Sequence, residues 1–248
     1  MTSKDSLYIY ALIPNSSPYS LSGGGIGGKE DDIFTIDYRD IQAVVSLSRI
    51  DEYEANRTNT LTHQRAIEDV MRQYPVLPMQ FATVVDGQDA LTDFLEKHYD
   101  EIVKQLDWIS DKVELGLKVL VRQDEIFAQI VQQSEKIRAM KEKIEKMPFE
   151  KSYYERIEIG RLVAEELEKE KNRYKDRFLE LLTPLSVDVK ENKCFGDKMI
   201  LNGSFLVRKS EEEAFDQAVN DLDDELSDHL ITKYVGYLPP YNFVHLHL

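Results

Sequence analysis

Apolar positions recur along the chain with two periods, and the switches between them mark the elements. Leu7–Ile13 (LYIYALI) is a continuous apolar run of β-formers that stops at Pro14, and it predicts a first strand. Ile33–Asp37 and Ile41–Ser48, joined through Tyr38, Arg39 and Asp40, predict a hairpin with Ala43, Val44 and Val45 at its apolar centre. Ile67, Val70, Met71 and Tyr74 fall at i, i+3, i+4 and i+7. They form one stripe of a helix that Thr60 or Thr62 would cap and Pro75 would end. Val76–Val85 is extended, and Pro78 marks it as an edge or irregular strand. Leu91, Phe94, Leu95, His98 and Ile102 share one face of a second helix, where His98 reads as a packed or boundary histidine.

Ser110–Arg122 (SDKVELGLKVLVR) is the pivot of the pattern. From Val113 it mixes period-2 alternation with a continuous apolar run, as in a strand buried on at least one face. We place the end of a first α+β domain here, at 1–109, and the start of a second, 110–248. After this strand, Phe127, Ile130, Val131, Ile137, Met140, Ile144 and Met147 predict a helix over Gln123–Met147, closed by Pro148. A longer helix runs from about Tyr153 to Leu182. In it Ile157, Ala164, Lys171 and Phe178 recur every seven residues, as do Gly160, Leu167, Tyr174 and Leu181. These interleaved heptads describe a seam that needs a partner helix. The preceding helix supplies one, giving an antiparallel helical hairpin inserted over about 123–182, with an exposed partner-binding face as the other reading of the stripe.

Leu185–Lys190 and Asp197–Lys209 predict strands, the second broken at Asn202-Gly203. A helix follows with Phe215, Ala218, Val219, Leu222 and Leu226 on one face and Glu211, Glu212 and Glu213 at its positive N-terminal end. The last strand is interrupted by Pro239 and Pro240. The order from Val113 is then β, helical hairpin, β, β, α, β, the split βαβ of a ferredoxin-like fold with an enlarged first connection. The predicted class is α+β: two domains, the second a modified ferredoxin-like fold with a long helical hairpin after its first strand.

The chain carries 46 acidic against 31 basic residues, a net charge of −15, which repels phosphate backbones and makes nucleic acid and anionic membranes poor partners. Cys194 is the one cysteine, so no intramolecular disulfide and no cysteine metal cluster is possible, and the cytosol is the expected compartment. The apolar run at Leu7–Ile13 is too short for a signal h-region or a membrane span.

Candidate chemistry is sparse. Gly23–Lys29 (GGGIGGK) matches the glycine and lysine positions of a phosphate-binding loop. However, no strand directly precedes it, Glu30 follows where Ser or Thr would hold magnesium, and the next element is a strand. His245 and His247 share a strand face without an evident third ligand. Cys194 has only Lys190, Lys193 and Lys198 as basic neighbours. No acid/base pair stands out, so we expect no enzyme, no metal and no cofactor. Gly236–Val244 (GYLPPYNFV) differs in kind, because two prolines flanked by aromatics make either a rigid amphipathic ridge or a final edge strand packed on its sheet.

Six stretches together resemble the gas vesicle accessory proteins GvpF and GvpL: Leu7–Pro14, Val76–Phe81, Val113–Val119, Tyr153–Gly160, Leu201–Leu206 and Tyr237–Phe243. They lie in the family's order over nearly the whole chain, and the Tyr-Glu-Arg-Ile run at 154–157 leans toward the F branch. The family usually has Arg and Gly where this chain has Gln80 and Ala82, and often Gly-Pro-Trp-Pro-Pro-Tyr where this chain has Gly236-Tyr-Leu-Pro-Pro-Tyr241. The resemblance implies two α+β domains, no catalytic residues, and a role as minor vesicle component or assembly factor. Such a protein would bind the small hydrophobic shell protein GvpA, limit its aggregation and assist vesicle nucleation, in the cytoplasm and associated with the vesicle. The candidate contact residues are Leu77, Pro78 and Phe81 in the first domain and Tyr237, Leu238, Pro239, Pro240, Tyr241 and Phe243 near the end, with the helical hairpin as a third surface. The runner-up is a small-ligand protein or enzyme using the ferredoxin-like sheet.

Overall fold

The computed structural model describes residues 6–15, 20–21, 24–26, 32–48, 52–244 and 246. These form two compact units, one of residues 1–114 with 237–248, the other of 115–236. The division falls at 114/115, inside the pivot strand, and residues 237–248 fold with the first unit.

The first unit is built on β1 (Ser6–Pro14), whose side chains from Leu7 to Ile13 are all buried. The sheet also contains β2 (Ser20–Leu21), β3 (Ile33–Tyr38) and β4 (Ile41–Ser48), in the order β2-β3-β4-β1. Beyond β1 come two short strands, β5 (Leu77–Pro78) and β6 (Val84–Val85), each antiparallel to β1. The segment read as one irregular edge strand is thus two pieces. The chain between them turns through Ala82, whose φ of 66° lies in the left-handed region.

The apolar run of β1 is continuous because helices cover both faces of this sheet. Leu7, Ile9 and Leu12 join a cluster with Leu91, Leu95, Ile102 and Leu106 from α2 (Gly87–Lys97) and α3 (Tyr99–Ile109). Tyr8, Tyr10, Ala11 and Ile13 join another with Ala66, Ile67 and Val70 from α1 (Arg57–Met71). The strict alternation breaks at Tyr10 and Ala11, which share a face. A register shift between Ile9 and Ala11 against β4 is the cause, an extra residue sending two successive side chains to one side. The cap of α1 is Asn56, whose side chain accepts from the Asn59 N–H at 2.9 Å, in place of the expected Thr60 or Thr62. The helix expected through His98 is two helices that break there. His98 is half-buried, its ring 5.0 Å from Phe94.

In the second unit β7 (Lys112–Val121) lies inside a four-stranded sheet of order β10-β7-β9-β8, with β8 (Asp188–Glu191), β9 (Met199–Arg208) and β10 (Leu230–Leu238). β9 runs unbroken through Asn202 and Gly203, contrary to the expected interruption. Gly203 is required there because a Cβ would sit 2.7 Å from the ring of the buried Phe205. Phe205 packs at 5.2 Å on Phe215 of α7 (Glu212–Leu226), whose Phe215, Val219 and Leu222 are buried as the periodicity predicts. Each such side chain removed from water contributes about 1.5–3 kcal/mol.

The helix expected over 123–147 is two, α4 (Gln123–Gln133) and α5 (Glu135–Glu145). Ser134 is extended between them, and its hydroxyl caps α5 through the Ile137 N–H. α6 (Tyr153–Leu182) is the long helix, and α5 and α6 form the hairpin, tied by Lys143 and Glu155 at 3.3 Å. The predicted seam is covered in its later half at Leu167, Tyr174 and Phe178, which are buried, although Leu181 is 38% exposed, whereas Ile157 and Ala164 are exposed.

Candidate protein-binding site

α1 and β1 place a histidine and two tyrosines side by side beneath the surface of the first unit. His63 is 3% exposed. The Ala82 N–H donates to Tyr8 Oη at 3.0 Å, which leaves the Tyr8 hydroxyl proton for His63 Nδ1 at 2.9 Å. His63 Nε2–H then faces the Met79 carbonyl at 3.1 Å and Tyr241 Oη at 3.0 Å. Burial drives the imidazole pKa down to about 4, against a smaller opposing effect of the Met79 bond, so the ring is neutral at pH 7. Burial likewise raises the pKa values of Tyr8 and Tyr241. Tyr10 extends the network, bonding Ser46 at 2.9 Å and accepting from the Ile26 N–H at 2.8 Å.

Residues 239–244 form a turn laid over this network. Glu114, 1% exposed, accepts from the Asn242 side-chain amide at 2.6 Å and from its backbone N–H at 3.2 Å. Val244 enters the cluster that contains Leu7, Ile9 and Leu77. Between the turn, α1 and the segment after β5 lies an open depression of about 460 Å³. Phe81, Leu238, Pro239 and Tyr241 form its apolar wall; Thr60, His63, Gln64, Gln80, Glu114 and Asn242 complete the lining.

Four of the nine predicted contact residues, Phe81, Leu238, Pro239 and Tyr241, are thus brought together from two distant stretches. Leu77 and Pro78 are not at the surface: both are buried and paired with β1 at Leu12 and Ala11. Pro240 is also buried, Phe243 is half-buried, and Tyr237, 55% exposed, lies outside the lining. Sequence reasoning missed His63, Glu114 and Asn242. One signal was present, since Glu114 is an acid between Val113 and Leu115 in a largely apolar strand and such a side chain needs a donor when buried.

Gly25 and Ile26 of the glycine loop are buried, while Gly23 and 27–29 lie outside the described residues, as do His245 and His247. Cys194 is exposed. Among the described residues no group of three or more His, Cys, Asp or Glu is placed to hold a metal, and no helix is long and apolar enough to cross a membrane.

The model of the gas vesicle synthesis proteins GvpL/GvpF matches residues 6–245. The chain belongs to the GvpL/GvpF family. Gas vesicle protein F of Dolichospermum flosaquae is 26% identical over 244 residues, spanning 97% of this chain and 98% of that protein. Gas vesicle protein F1 of Halobacterium salinarum is 28% identical over 249 residues, spanning 98% and 95%. The crystal structure of GvpF from Anabaena superimposes with a TM-score of 0.85 at 22% identity, covering 98% of this chain and 100% of that one. At that identity the likeness establishes the mixed helix-and-sheet fold, and GvpL/GvpF membership gives the chain a role in gas vesicle formation. The family is one of gas vesicle proteins and not a known enzyme family.

Proposed function

We propose that this GvpL/GvpF protein is a non-enzymatic assembly factor that binds the hydrophobic shell protein GvpA, keeps it from aggregating and assists vesicle nucleation in the cytoplasm. The observation that carries this reading is the convergence of Phe81, Leu238, Pro239 and Tyr241 around one open depression in the first unit. An open apolar wall of this kind covers exposed hydrophobic surface on a partner without a cofactor. His63 and Glu114 also line it, which favours the second reading, a small-ligand site. Their hydrogen bonds to Tyr8, Met79, Tyr241 and Asn242 argue against catalysis, because each polar atom so engaged is committed to joining β1, α1, the segment after β5 and the turn. The strand order β10-β7-β9-β8, numbered within its unit as 4-1-3-2, supports a modified ferredoxin-like second domain.

The test is co-expression with GvpA followed by affinity capture and a solubility assay. The expected result is soluble shell protein that co-purifies with the native chain and is lost with Phe81→Asp. If the shell protein stays equally insoluble and none is captured, the reading is wrong.

A further inference from the structure

At the free end of the α5–α6 hairpin, Phe149 is 75% exposed, Tyr153 64%, Tyr154 80% and Ile157 56%. Phe149 lies in the single turn of 3-10 helix that joins the two helices, and the others open α6. Tyr153, Ile157, Gly160 and Ala164 recur at spacings of four, three and four, the seam of two packed helices, and all are exposed. The same stripe runs on into Leu167, Tyr174 and Phe178, where the protein itself covers it. At the middle of its open half, nothing stands within 4 Å of a Cβ built on Gly160, so the backbone of another helix has room to approach.

Charge decides what fits. From Glu135 to Ala164, which covers α5, the connection and the open half of the stripe, there are eight basic and six acidic residues, so this part is net positive on a chain of net charge −15. Lys146, Lys151 and Arg156 are exposed, and Arg156 lies 4.7 Å from the centre of the Phe149 ring. A second copy paired hairpin end to hairpin end would set two positive ends together. An acidic helix would meet a surface of opposite sign.

We propose that the open half of the α6 stripe, with Phe149 beside it, is a docking site for an acidic amphipathic helix of a partner protein. Its apolar side chains seat on Tyr153, Ile157 and the gap at Gly160, and its carboxylates face Lys151 and Arg156. The patch is small, so the complex is weak and transient. This site is separate from the depression in the first unit, and either stands if the other fails.

Two stapled helical peptides of equal length, one of Leu/Glu heptads and one of Leu/Lys heptads, are titrated with the full chain and followed by fluorescence anisotropy. The Leu/Glu peptide is expected to bind at least about tenfold more tightly. Its affinity falls as salt rises and is lost in the Tyr154→Glu, Ile157→Glu double variant. Phe195→Ser, an exposed aromatic elsewhere in the second unit, leaves binding unchanged, and circular dichroism checks that both variants keep their helix content. Equal binding of the two peptides, binding of neither, or binding that survives the double variant overturns the proposal. So does a concentration-dependent dimer of the native chain that the double variant abolishes, since a second copy would then cover the stripe.

Discussion

β1 in the first unit and β10 in the second are both nine residues long, yet every side chain from Leu7 to Ile13 is buried whereas Ile231, Lys233 and Val235 are exposed on alternate positions of β10. β1 has helices on both faces and a hydrogen-bonded neighbour on both edges; β10 ends its sheet. The difference follows from the letters, LYIYALI against LITKYVGYL, because a strand covered twice needs no polar positions and a strand covered once keeps them. α6 repeats the contrast within one helix, sealed toward its C-terminus and open toward its start.

The sharpest test of the contrast is truncation at matched positions. Ile9→Ala, fully buried in β1, is expected to cost about 4 kcal/mol in urea denaturation, whereas Ile231→Ala, 38% exposed in β10, costs less than about 0.5 kcal/mol. Similar losses at both sites would mean that the edge strand is covered in solution. Next in size is Gly203→Ala, which forces a methyl group against the Phe205 ring and should cost about 2–3 kcal/mol by the same measurement.

The polar layer of the first unit supplies a pH-dependent term. His63 has a folded-state pKa of about 4 against 6.5 unfolded, so between those values the unfolded chain binds the extra proton. Its contribution is complete above pH 6.5 and is lost as the pH falls toward 4, about 2 kcal/mol by pH 5. Thermal melts of the native chain and of His63→Gln at about pH 7.5, where the contribution is complete, and at about pH 5, where roughly 2 kcal/mol of it is gone, should diverge by this amount. Parallel curves would show that His63 is not the group responsible. The smallest expected effect is a gain. Ala82→Gly relieves the left-handed backbone at φ 66° and should stabilise by about 1 kcal/mol, despite the greater freedom of the unfolded chain.

Ala82 also shows how far the sequence could be read. The resemblance implied glycine where this chain has Ala82, and the left-handed turn between β5 and β6 gives the physical reason for that expectation. Long periodic elements were legible: β1, the β3–β4 hairpin, α6 and α7 lie close to where their patterns put them. The breaks at His98 and Ser134 were not, because neither residue interrupts the apolar period that the flanking helices share. Half of the candidate site was legible too, as aromatics and prolines in two stretches. Its polar half was not, since the Glu114 clasp on Asn242 joins residues 128 positions apart and no local pattern encodes such a pair. Leu77 and Pro78 misled for the opposite reason, an extended apolar segment reading the same whether it faces water or pairs with a central strand.

Val244 and Asn242 complete a unit whose other members, apart from that last stretch, precede Leu115. On the ribosome, the first half of the polypeptide therefore emerges with two places still open, the slot that Val244 fills and the position from which Asn242 donates to Glu114. It stays in that unfinished state while all of 115–236 is translated, and reaches its final form only when the tail has come back to fill both.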